Sequence, residues 1–368
     1  MTFRPTVADV DLDAIRGNVE TLKPPGAAFM AVVKANGYGH GDVPVARAAI
    51  QGGATWLGIA LVEEGLRLRE AGIRNEPILL LSEFPAEAEK EVVAADLTPT
   101  VYSERKASAL AAAARAIGRP ARAHLKVDTG MHRVGVLPER AVAVARALVS
   151  EGIEIEGVWT HFARSDEVDA PTTTEQLDGF RAVLGDLEAD GIRPRYRHAA
   201  NSGAALAWPE SHFDLVRVGV AMYGIAPGPD LAGRAQLRPA MSLRSRVSYV
   251  QRLPAGAGVS YGHTYRLAHD STIATVPIGY ADGYLRALSN RGQVLFGGRR
   301  RPVVGNVTMD QLMVDVGDDP IQIGDEVVLF GRQGEEEIRA EEVAGWAGTI
   351  GYEIVCAVSE RVPREYRG

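Results

Sequence analysis

The sequence predicts an α/β fold in which an N-terminal (β/α)8 barrel of the TIM type precedes a C-terminal, mainly-β domain. Three observations support this prediction. Short apolar runs alternate with amphipathic stretches from about residue 27 to residue 217, as parallel strands alternate with their covering helices. Eight such runs can be counted, which is the number that a barrel requires. After Pro227-Gly228-Pro229, β-rich runs are punctuated by glycine instead.

The predicted barrel strands are short and apolar. In chain order they are Phe29–Val33, Trp56–Ala60, Ile78–Leu81, Thr98–Tyr102, Arg122–Lys126, Ile155–Thr160, Tyr196–His198 and Asp214–Arg217. The amphipathic stretches between them include Val62–Ala71, Ser103–Ile117 and Pro138–Val149, which we expect to be helices. We therefore predict a barrel domain over residues 10–232.

The second domain is predicted over residues 233–368. Its expected strands are Leu243–Leu253, Thr272–Ile278, Gln293–Phe296, Val303–Val304, Leu312–Val316 and Glu326–Phe330. One helix is expected near Ala340–Gly348. The opening run, Thr6–Asp9, falls outside the barrel pattern, so residues 1–9 are assigned to this domain on the family resemblance given below.

Composition narrows the class of protein. A chain of 368 residues suggests two domains, and 46% hydrophobic with 24% charged residues is ordinary for a soluble protein. A net charge of −7 argues against a nucleic-acid binder, and we interpret Arg299-Arg300-Arg301 as a hairpin tip. The single cysteine, Cys356, excludes an internal disulfide and is expected in the core. No signal segment, membrane span or metal-ligand spacing is evident, so we expect a cytoplasmic protein without a metal.

The most informative segment surrounds Lys34. An apolar run delivers this lysine to a loop with three glycines, and lysine is rare in this chain, with five residues against 35 arginines. A desolvated amine at a strand end can lose its proton and form a Schiff base. A lysine that merely reaches solvent is the alternative.

Other reactive side chains share this placement. Lys34, Lys126, His161, His198 and Arg217 all fall at or just after the ends of predicted strands. Active sites of such barrels lie at the carboxyl ends of the strands. The sequence therefore predicts one site that contains all five residues.

Two further segments suggest a phosphate site. Asn201-Ser202-Gly203 follows the seventh predicted strand and opens a helix, so Ser202 can donate to a phosphate, cap the helix, or do both. Val218-Gly219-Val220 follows the eighth strand, where barrels often bind phosphate.

The segment AVVKANGYGHG, residues 31–41, resembles the cofactor-lysine motif of alanine racemases, which use pyridoxal 5'-phosphate (PLP). Further segments match this family in order: HLKVDTGMHRVG at 124–135, VSYGHTY at 259–265, IGYADGY at 278–284 and GNVTMDQ at 305–311. The resemblance covers nearly the whole chain. It implies an isomerase that interconverts L- and D-alanine, supplies D-alanine for peptidoglycan, and works as a head-to-tail homodimer with shared active sites.

The resemblance also implies roles for individual residues. Lys34 would hold PLP and serve as the base on the D-face, and Tyr261 of the partner subunit would serve as the base on the L-face. Arg217 would face the pyridine nitrogen and His161 the ring, while His198 would hold Arg217. The remaining implied roles are phosphate and cofactor binding by Tyr38, Asn201, Ser202, Gly219, Val220 and Tyr352; substrate carboxylate binding by Arg133 and Met309; carbamylation of Lys126; and an entrance gate at Tyr280.

The chain departs from many family members at two positions, since it has Asn306 and Thr308 where they have arginine and cysteine. Three alternatives remain open at this point. A broad-spectrum racemase would share all of these motifs. A decarboxylase of basic amino acids would have an acid at the pyridine nitrogen, which Arg217 argues against. A non-catalytic PLP-binding barrel would lack the β domain.

Overall fold

A computed structural model describes residues 3–368 and divides them into two compact units. The barrel unit comprises Ile15–Gly37 and Asp42–Leu237. The C-terminal unit comprises Arg238–Gly368, the N-terminal segment that ends at Ala14, and the short stretch Tyr38–Gly41. The predicted fold class, an α/β barrel followed by a mainly-β domain, is confirmed.

The strands of the described chain follow the order of the sequence pattern. They are β1 Val7–Asp11, β2 Ala28–Val32, β3 Trp56–Ile59, β4 Ile78–Leu80, β5 Leu97–Thr98, β6 Thr100–Val101, β7 Arg122–Lys126, β8 Glu154–Trp159, β9 Tyr196–His198, β10 Leu215–Val218, β11 Met241–Arg246, β12 Tyr249–Leu253, β13 Gly258–Val259, β14 Tyr265–Arg266, β15 Ser271–Val276, β16 Gln293–Phe296, β17 Arg299–Pro302, β18 Leu312–Gly317, β19 Glu326–Gln333, β20 Glu336–Ile338 and β21 Arg364–Arg367.

The α-helices of the same residues lie mostly between the barrel strands. They are α1 Leu12–Leu22, α2 Asp42–Gln51, α3 Val62–Glu70, α4 Glu89–Ala94, α5 Glu104–Ile117, α6 Ala141–Ser150, α7 Pro171–Ala189, α8 Ser202–Ala207, α9 Ala340–Ala347 and α10 Gly351–Ala357. No helix within residues 3–368 combines the length and apolar character that crossing a membrane requires.

The barrel is built from two runs of parallel strands. One run has the order β10-β2-β3-β4-β5 and the other the order β6-β7-β8-β9. Pro99, which has no N–H to donate, separates β5 from β6, but its carbonyl still accepts from His124 N at 2.9 Å. Asp214 N donates to Arg197 O at 3.0 Å, which joins β9 to β10 and closes the ring.

The C-terminal unit contains a seven-stranded sheet, a three-stranded sheet of order β12-β15-β18, and the β13-β14 pair. In the large sheet, β1 pairs antiparallel with β11 and parallel with β21. A buried cluster of Val259, Leu267, Ile273 and Val304 packs part of this unit.

Several local predictions for the C-terminal unit are wrong. The run Leu243–Leu253 is divided between β11 and β12, which belong to different sheets. Arg299-Arg300-Arg301 lies on β17, where Glu336 and Glu342 pair with Arg300; the hairpin tip is at Gly297-Gly298. Cys356 is exposed rather than packed in the core, because its apolar segment forms α10, which turns Ile354 and Val355 inward and Cys356 outward.

Candidate active site

The carboxyl ends of the barrel strands carry the reactive side chains. Lys34 follows β2 by two residues, Lys126 and His198 end β7 and β9, His161 follows β8 by two residues, and Arg217 lies at the third position of β10. Because the strands are parallel, these ends lie at one mouth of the barrel. The charges of Arg217, Lys126 and Lys34 all act on His161, whose pKa is lowered well below its usual value by burial first and then by these cations.

The backbone after Lys34 makes a left-handed turn. The φ angles of Ala35, Asn36 and Gly37 are 54°, 53° and 60°, and Tyr38 follows at 51°. Residues with a Cβ pay roughly 1–2 kcal/mol each in this region, so outside contacts must hold the turn. One of them is buried Glu64, whose carboxylate accepts from Ala35 N at 2.6 Å.

Lys126 is a buried cation beside other cations. Its side chain is 3% exposed, and its Nζ lies 4.4 Å from the centre of the Trp159 ring. Burial, followed by the charges of Arg133 and Arg217, lowers the pKa of Lys126 from 10.5 to about 7. The amine is therefore substantially neutral near neutral pH and able to act as a nucleophile.

The loop between Lys126 and Arg133 is shaped by Asp128. Its Oδ1 accepts from the backbone N–H groups of Gly130, Met131 and His132 at 3.0–3.1 Å. These bonds, with the charge of His132, hold the pKa of Asp128 below its usual value although burial opposes them. The carboxylate is thus committed to the loop, and the exposed Arg133 extends from it.

Arg217 is buried and held by neutral acceptors. Its guanidinium donates to His198 Nδ1 at 3.0 Å, to the carbonyls of Thr160 and Ala199 at 2.8 and 3.0 Å, and to His161 Nδ1 at 3.2 Å. Within residues 3–368 no carboxylate forms an ion pair with it, and Asp214, on the segment leading into β10, pairs with Arg197. Burial lowers the pKa of Arg217 from 12.5 to about 9.

The segment after β9 meets the segment after β10 at Ser202. Its Oγ accepts from Gly219 N at 3.0 Å and from Ala221 N at 3.4 Å, which leaves the hydroxyl proton to donate elsewhere. The suggestion that Ser202 caps α8 is wrong, because Asn201 is the N-cap and accepts from Ala204 N at 3.0 Å. Val220 opens a 3-10 turn, where the first N–H groups lack partners within the turn.

Tyr38 and Tyr352 form a separate pair in the C-terminal unit. Their ring centres lie 6.3 Å apart, and Tyr38 is 9% exposed. Burial, with Tyr352 and Cys356 beside it, raises the pKa of Tyr38 far above its usual value. The Tyr38 hydroxyl therefore remains protonated.

Tyr261 lies on an exposed loop of the same unit and is 77% exposed. Ser260 before it has a φ of 61° and donates through its hydroxyl to Asn306 O at 2.7 Å. Asn306 in turn donates through its side chain to Tyr261 O at 2.7 Å. Gly305 has a φ of 74°, and a Cβ there would lie 2.7 Å from Val259 O. Only glycine therefore fits where the backbone at 305 passes Val259.

Backbone hydrogen bonds join Tyr280 to the Met309 loop. Tyr280 N donates to Thr308 O at 3.0 Å, and Ala281 N donates to Met309 O at 3.1 Å. Both side chains are largely exposed, at 41% for Tyr280 and 52% for Met309. The C-terminal unit therefore assembles Tyr261, Asn306, Met309 and Tyr280 as one group of loops, apart from the Tyr38–Tyr352 pair.

A buried carboxylate supports these loops. Asp282, whose side chain is fully buried, accepts from both terminal nitrogens of Arg4 at 2.6 and 2.8 Å and from Gly279 N at 3.0 Å. Arg361 lies 3.4 Å from the same carboxylate and donates to Asp310 at 2.6 Å.

Sequence reasoning missed several residues of the barrel mouth. Trp159 packs against Lys126 and stacks on His198, with ring centres 5.7 Å apart and an angle of 9°. Glu64, which holds the turn after Lys34, carries no local signal because its contact depends on the tertiary fold. His124 and Glu156 were also missed. His124 lies two residues before Lys126 on β7 and so shares its face, which is a signal in the sequence, whereas Glu156 is the extra residue of a β-bulge and has none.

Known proteins resemble this chain over its whole length. Family models described as alanine racemase N-terminal and C-terminal domains match residues 10–227 and 240–366. The alanine racemase of Symbiobacterium thermophilum is 52% identical over 100% of this chain and 98% of that protein. The crystal structure of alanine racemase from Streptomyces lavendulae aligns with a TM-score of 0.95 at 46% identity, over 100% of this chain and 98% of its own. The crystal structure of alanine racemase from Bartonella henselae with covalently bound pyridoxal phosphate aligns with a TM-score of 0.89 at 30% identity, over 99% of each chain.

Proposed function

The chain belongs to the alanine racemase family, and we propose that it interconverts L- and D-alanine with PLP held by Lys34. The observation that carries the proposal is the buried Arg217 at the barrel mouth, hydrogen-bonded by neutral groups and flanked by Lys126 and His161. When bound, PLP withdraws electrons from Cα of the substrate and makes the α-proton acidic.

The residues of the barrel mouth fit this cofactor. A phosphate needs hydrogen-bond donors, which the Ser202 hydroxyl and the N–H of Val220 can supply beside Gly219. The family resemblance assigns further phosphate contacts to the hydroxyls of Tyr38 and Tyr352. Asn201, whose carbonyl oxygen accepts from Ser165 and Ala204, would support this segment.

Arg217 would face the pyridine nitrogen. A guanidinium has no acceptor and holds its protons tightly, so it donates to that nitrogen without protonating it. The ring would then withdraw less charge from the substrate, and Arg217 would favour return of a proton to Cα over side reactions at the cofactor carbon. A carboxylic acid at this place, as in a decarboxylase, would act in the opposite sense.

Racemisation needs proton transfer on two faces of one carbon. Lys34 would move the proton on one face and Tyr261 on the other, because one base cannot reach both faces of a fixed substrate. The 77% exposure of Tyr261 supports its donation to the site of a partner subunit. A homodimer with twofold symmetry is the simplest closed assembly that completes both sites.

Lys126, Arg133 and Met309 would bind and orient the substrate carboxylate. A neutral Lys126 amine can add to CO2, forming an N–C bond and releasing a proton, and the resulting carbamate would be an anion between Arg133 and Arg217. That anion would replace repulsion by attraction and hold Arg133 toward the carboxylate. Met309 would contribute its backbone N–H from the partner, and Tyr280 would line the entrance.

Borohydride treatment tests the cofactor assignment. Reduction should fix PLP on Lys34, which peptide mapping would locate; attachment at any other residue contradicts the proposal.

Circular dichroism of L-alanine, L-serine and L-lysine tests the substrate. Loss of signal for alanine alone supports a supply of D-alanine for peptidoglycan, and comparable loss for all three indicates a broad-spectrum racemase. Release of CO2 would indicate a decarboxylase, and no change with any substrate would leave only a PLP-binding barrel.

A further inference from the structure

A line of hydrogen-bonding groups runs away from Arg217 through the barrel interior. Arg217 lies 3.0 Å from His198 Nδ1, and His198 Nε2 lies 2.9 Å from His124 Nδ1. His124 Nε2 lies 3.8 Å from the carboxylate oxygen Oε2 of Glu156. These residues occupy the neighbouring strands β10, β9, β7 and β8, and both imidazoles are fully buried.

Arg217 at one end and Glu156 at the other set the direction of the bonds in this line. A guanidinium only donates, so its bond with His198 forms only while His198 Nδ1 accepts. A neutral His198 then carries its proton on Nε2 and donates to His124 Nδ1, which leaves the proton of His124 on Nε2, aimed at Glu156. Burial is the main cause that lowers the pKa of both histidines, so both stay neutral and keep these tautomers.

The line ends at two complementary atoms, His124 Nε2 and Glu156 Oε2. Both are buried and have no hydrogen-bond partner within residues 3–368, although Arg122 Nε lies 3.6 Å from Glu156 Oε2. A buried donor and acceptor that face each other cost free energy until they pair. A shift of about 1 Å would bring them to hydrogen-bonding distance.

The strands are shaped around this line. The pairing of β7 with β8 shifts register between Ala123 and His124, so that Glu156 is the extra residue of a β-bulge. Bulges near active sites re-aim side chains. Gly157 follows, and a Cβ there would lie 2.6 Å from two atoms of the His124 ring. Trp159 stacks on His198, and Trp56 packs on His124 with ring centres 5.1 Å apart.

We propose that Glu156, acting through His124 and His198, is a positioning residue for Arg217. The carboxylate would accept from the Nε2–H of His124 and so favour the Nε2–H tautomer of both imidazoles, which keeps His198 Nδ1 an acceptor toward Arg217. It also provides a remote negative charge for a buried guanidinium that has no ion pair of its own. The consequence for catalysis rests on the proposed contact between Arg217 and the cofactor nitrogen.

The test is the tautomeric state of the histidines in the holoenzyme labelled with 15N at the imidazoles. In the wild type, two-bond 1H–15N spectra should show His124 and His198 as neutral Nε2–H tautomers, assigned through His124→Gln and His198→Gln. Glu156→Gln, which keeps an acceptor oxygen, should leave both tautomers unchanged. Glu156→Leu removes the acceptor and should convert His124, or both histidines, to the Nδ1–H form, with a fall in kcat of about tenfold, the size seen for outer partners of metal ligands.

Arg122 offers the matched control, because its Nε lies 3.6 Å from the same carboxylate oxygen and it is also paired with Asp96. Arg122→Gln should leave both tautomers as in the wild type. An Nδ1–H form in the wild type, unchanged tautomers in Glu156→Leu, or the same conversion in Arg122→Gln would overturn the proposal. Because the tautomers are read without turnover, a protein with the expected tautomers that fails to racemise alanine would contradict the proposed function instead.

Discussion

The barrel mouth and the exposed loops of the C-terminal unit use charge in opposite ways. At the barrel mouth, Lys126 and Arg217 are buried and form no ion pair with the described part of the chain, and burial lowers the pKa of each. In the loops around Met309, arginines are matched with carboxylates, as Arg4 is with Asp282 and Arg361 with Asp310. The first arrangement creates reactive groups, whereas the second fixes the positions of exposed residues.

The two regions would contribute different groups to the proposed reaction. The barrel carries amines and a guanidinium whose protonation is tuned before substrate arrives. The loops carry Tyr261 and Met309, which are exposed and which the proposed function assigns to the site of a partner subunit.

The largest expected effect comes from two variants, each of which inactivates one of the two regions. Lys34→Ala and Tyr261→Phe should each lower racemisation of alanine by roughly 10²–10⁴ or more, because each removes a proton-transfer group. A heterodimer purified from one subunit of each variant should regain about half of the wild-type rate, since one of its two shared sites is intact. Racemisation is measured by circular dichroism, and a heterodimer as inactive as its parents would refute the shared site.

Hydrogen exchange sharpens the same assignment. Tyr261→Phe should still exchange the α-hydrogen of D-alanine with D2O, because Lys34 remains, while Lys34→Ala should lose that exchange. The reverse pattern would assign the two faces the other way round.

Two buried lysines provide the next contrast. Below about pH 7 the folded protein must carry a charged Lys126 at a cost, and this cost fades as the pH rises from about 7 toward 10.5. In CO2-free buffer at pH 6, Lys126→Met should therefore raise the free energy of unfolding by roughly 1–3 kcal/mol, an advantage that shrinks toward pH 10. Urea unfolding curves at pH 6 and pH 10 measure the difference in the free energy of unfolding between the variant and the wild type.

Lys106 is the control, since it is equally buried but lies 3.4 Å from Glu89. Lys106→Met should destabilise the protein, because it leaves a carboxylate without its partner. The same sign for both variants would remove the distinction between paired and unpaired cations.

The buried carboxylate of Asp282 tests how much a paired charge stabilises the loops of the C-terminal unit. Burial alone would raise its pKa, but hydrogen bonds from Arg4 and Gly279 hold it below the usual 3.8. Its stabilising contribution is therefore present above about pH 4 and lost as the pH falls through the lower folded-state pKa. Asp282→Asn should cost roughly 1–3 kcal/mol at pH 7 in urea unfolding, with the two proteins converging in acid.

Asp310→Asn is the matched change at an exposed carboxylate that pairs with Arg361. Surface ion pairs contribute about 0–1 kcal/mol, so this variant should be nearly neutral. An equal loss of unfolding free energy in both variants would show that burial does not determine how much these ion pairs stabilise the protein.

The sequence predicted the barrel better than the C-terminal unit. Parallel strands buried on both faces read as continuous apolar runs, so Trp56–Ile59 and Ile78–Leu80 were predicted to within one residue at their ends. In the C-terminal unit, β11 and β12 were merged because the break at Val247-Ser248 has no glycine or proline.

At the candidate site, too, the sequence predicted local features better than contacts between distant residues. Side chains at strand ends can be read from topology, as Lys34 and Arg217 were. Contacts made across the fold cannot, because no local pattern links Glu64 to the turn at Ala35, or Glu156 to His124. The roles assigned to these residues remain predictions until the experiments above are done.

The smallest expected effect concerns Asn306, whose side chain donates one hydrogen bond of 2.7 Å to the backbone carbonyl of Tyr261. A bond of this kind is worth about 0.5–1.5 kcal/mol, so Asn306→Ala should slow proton exchange at the Tyr261 face by no more than about tenfold. Exchange of L-alanine in D2O should therefore fall more than that of D-alanine. Thr308→Val is the control, because the Thr308 hydroxyl bonds only with Gln311 and should leave the ratio of the two exchange rates unchanged. A ratio that moves equally in both variants would mean that the loop acts as a whole, and that Tyr261 is positioned by the backbone strain at Ser260 and Gly305 rather than by the Asn306 side chain.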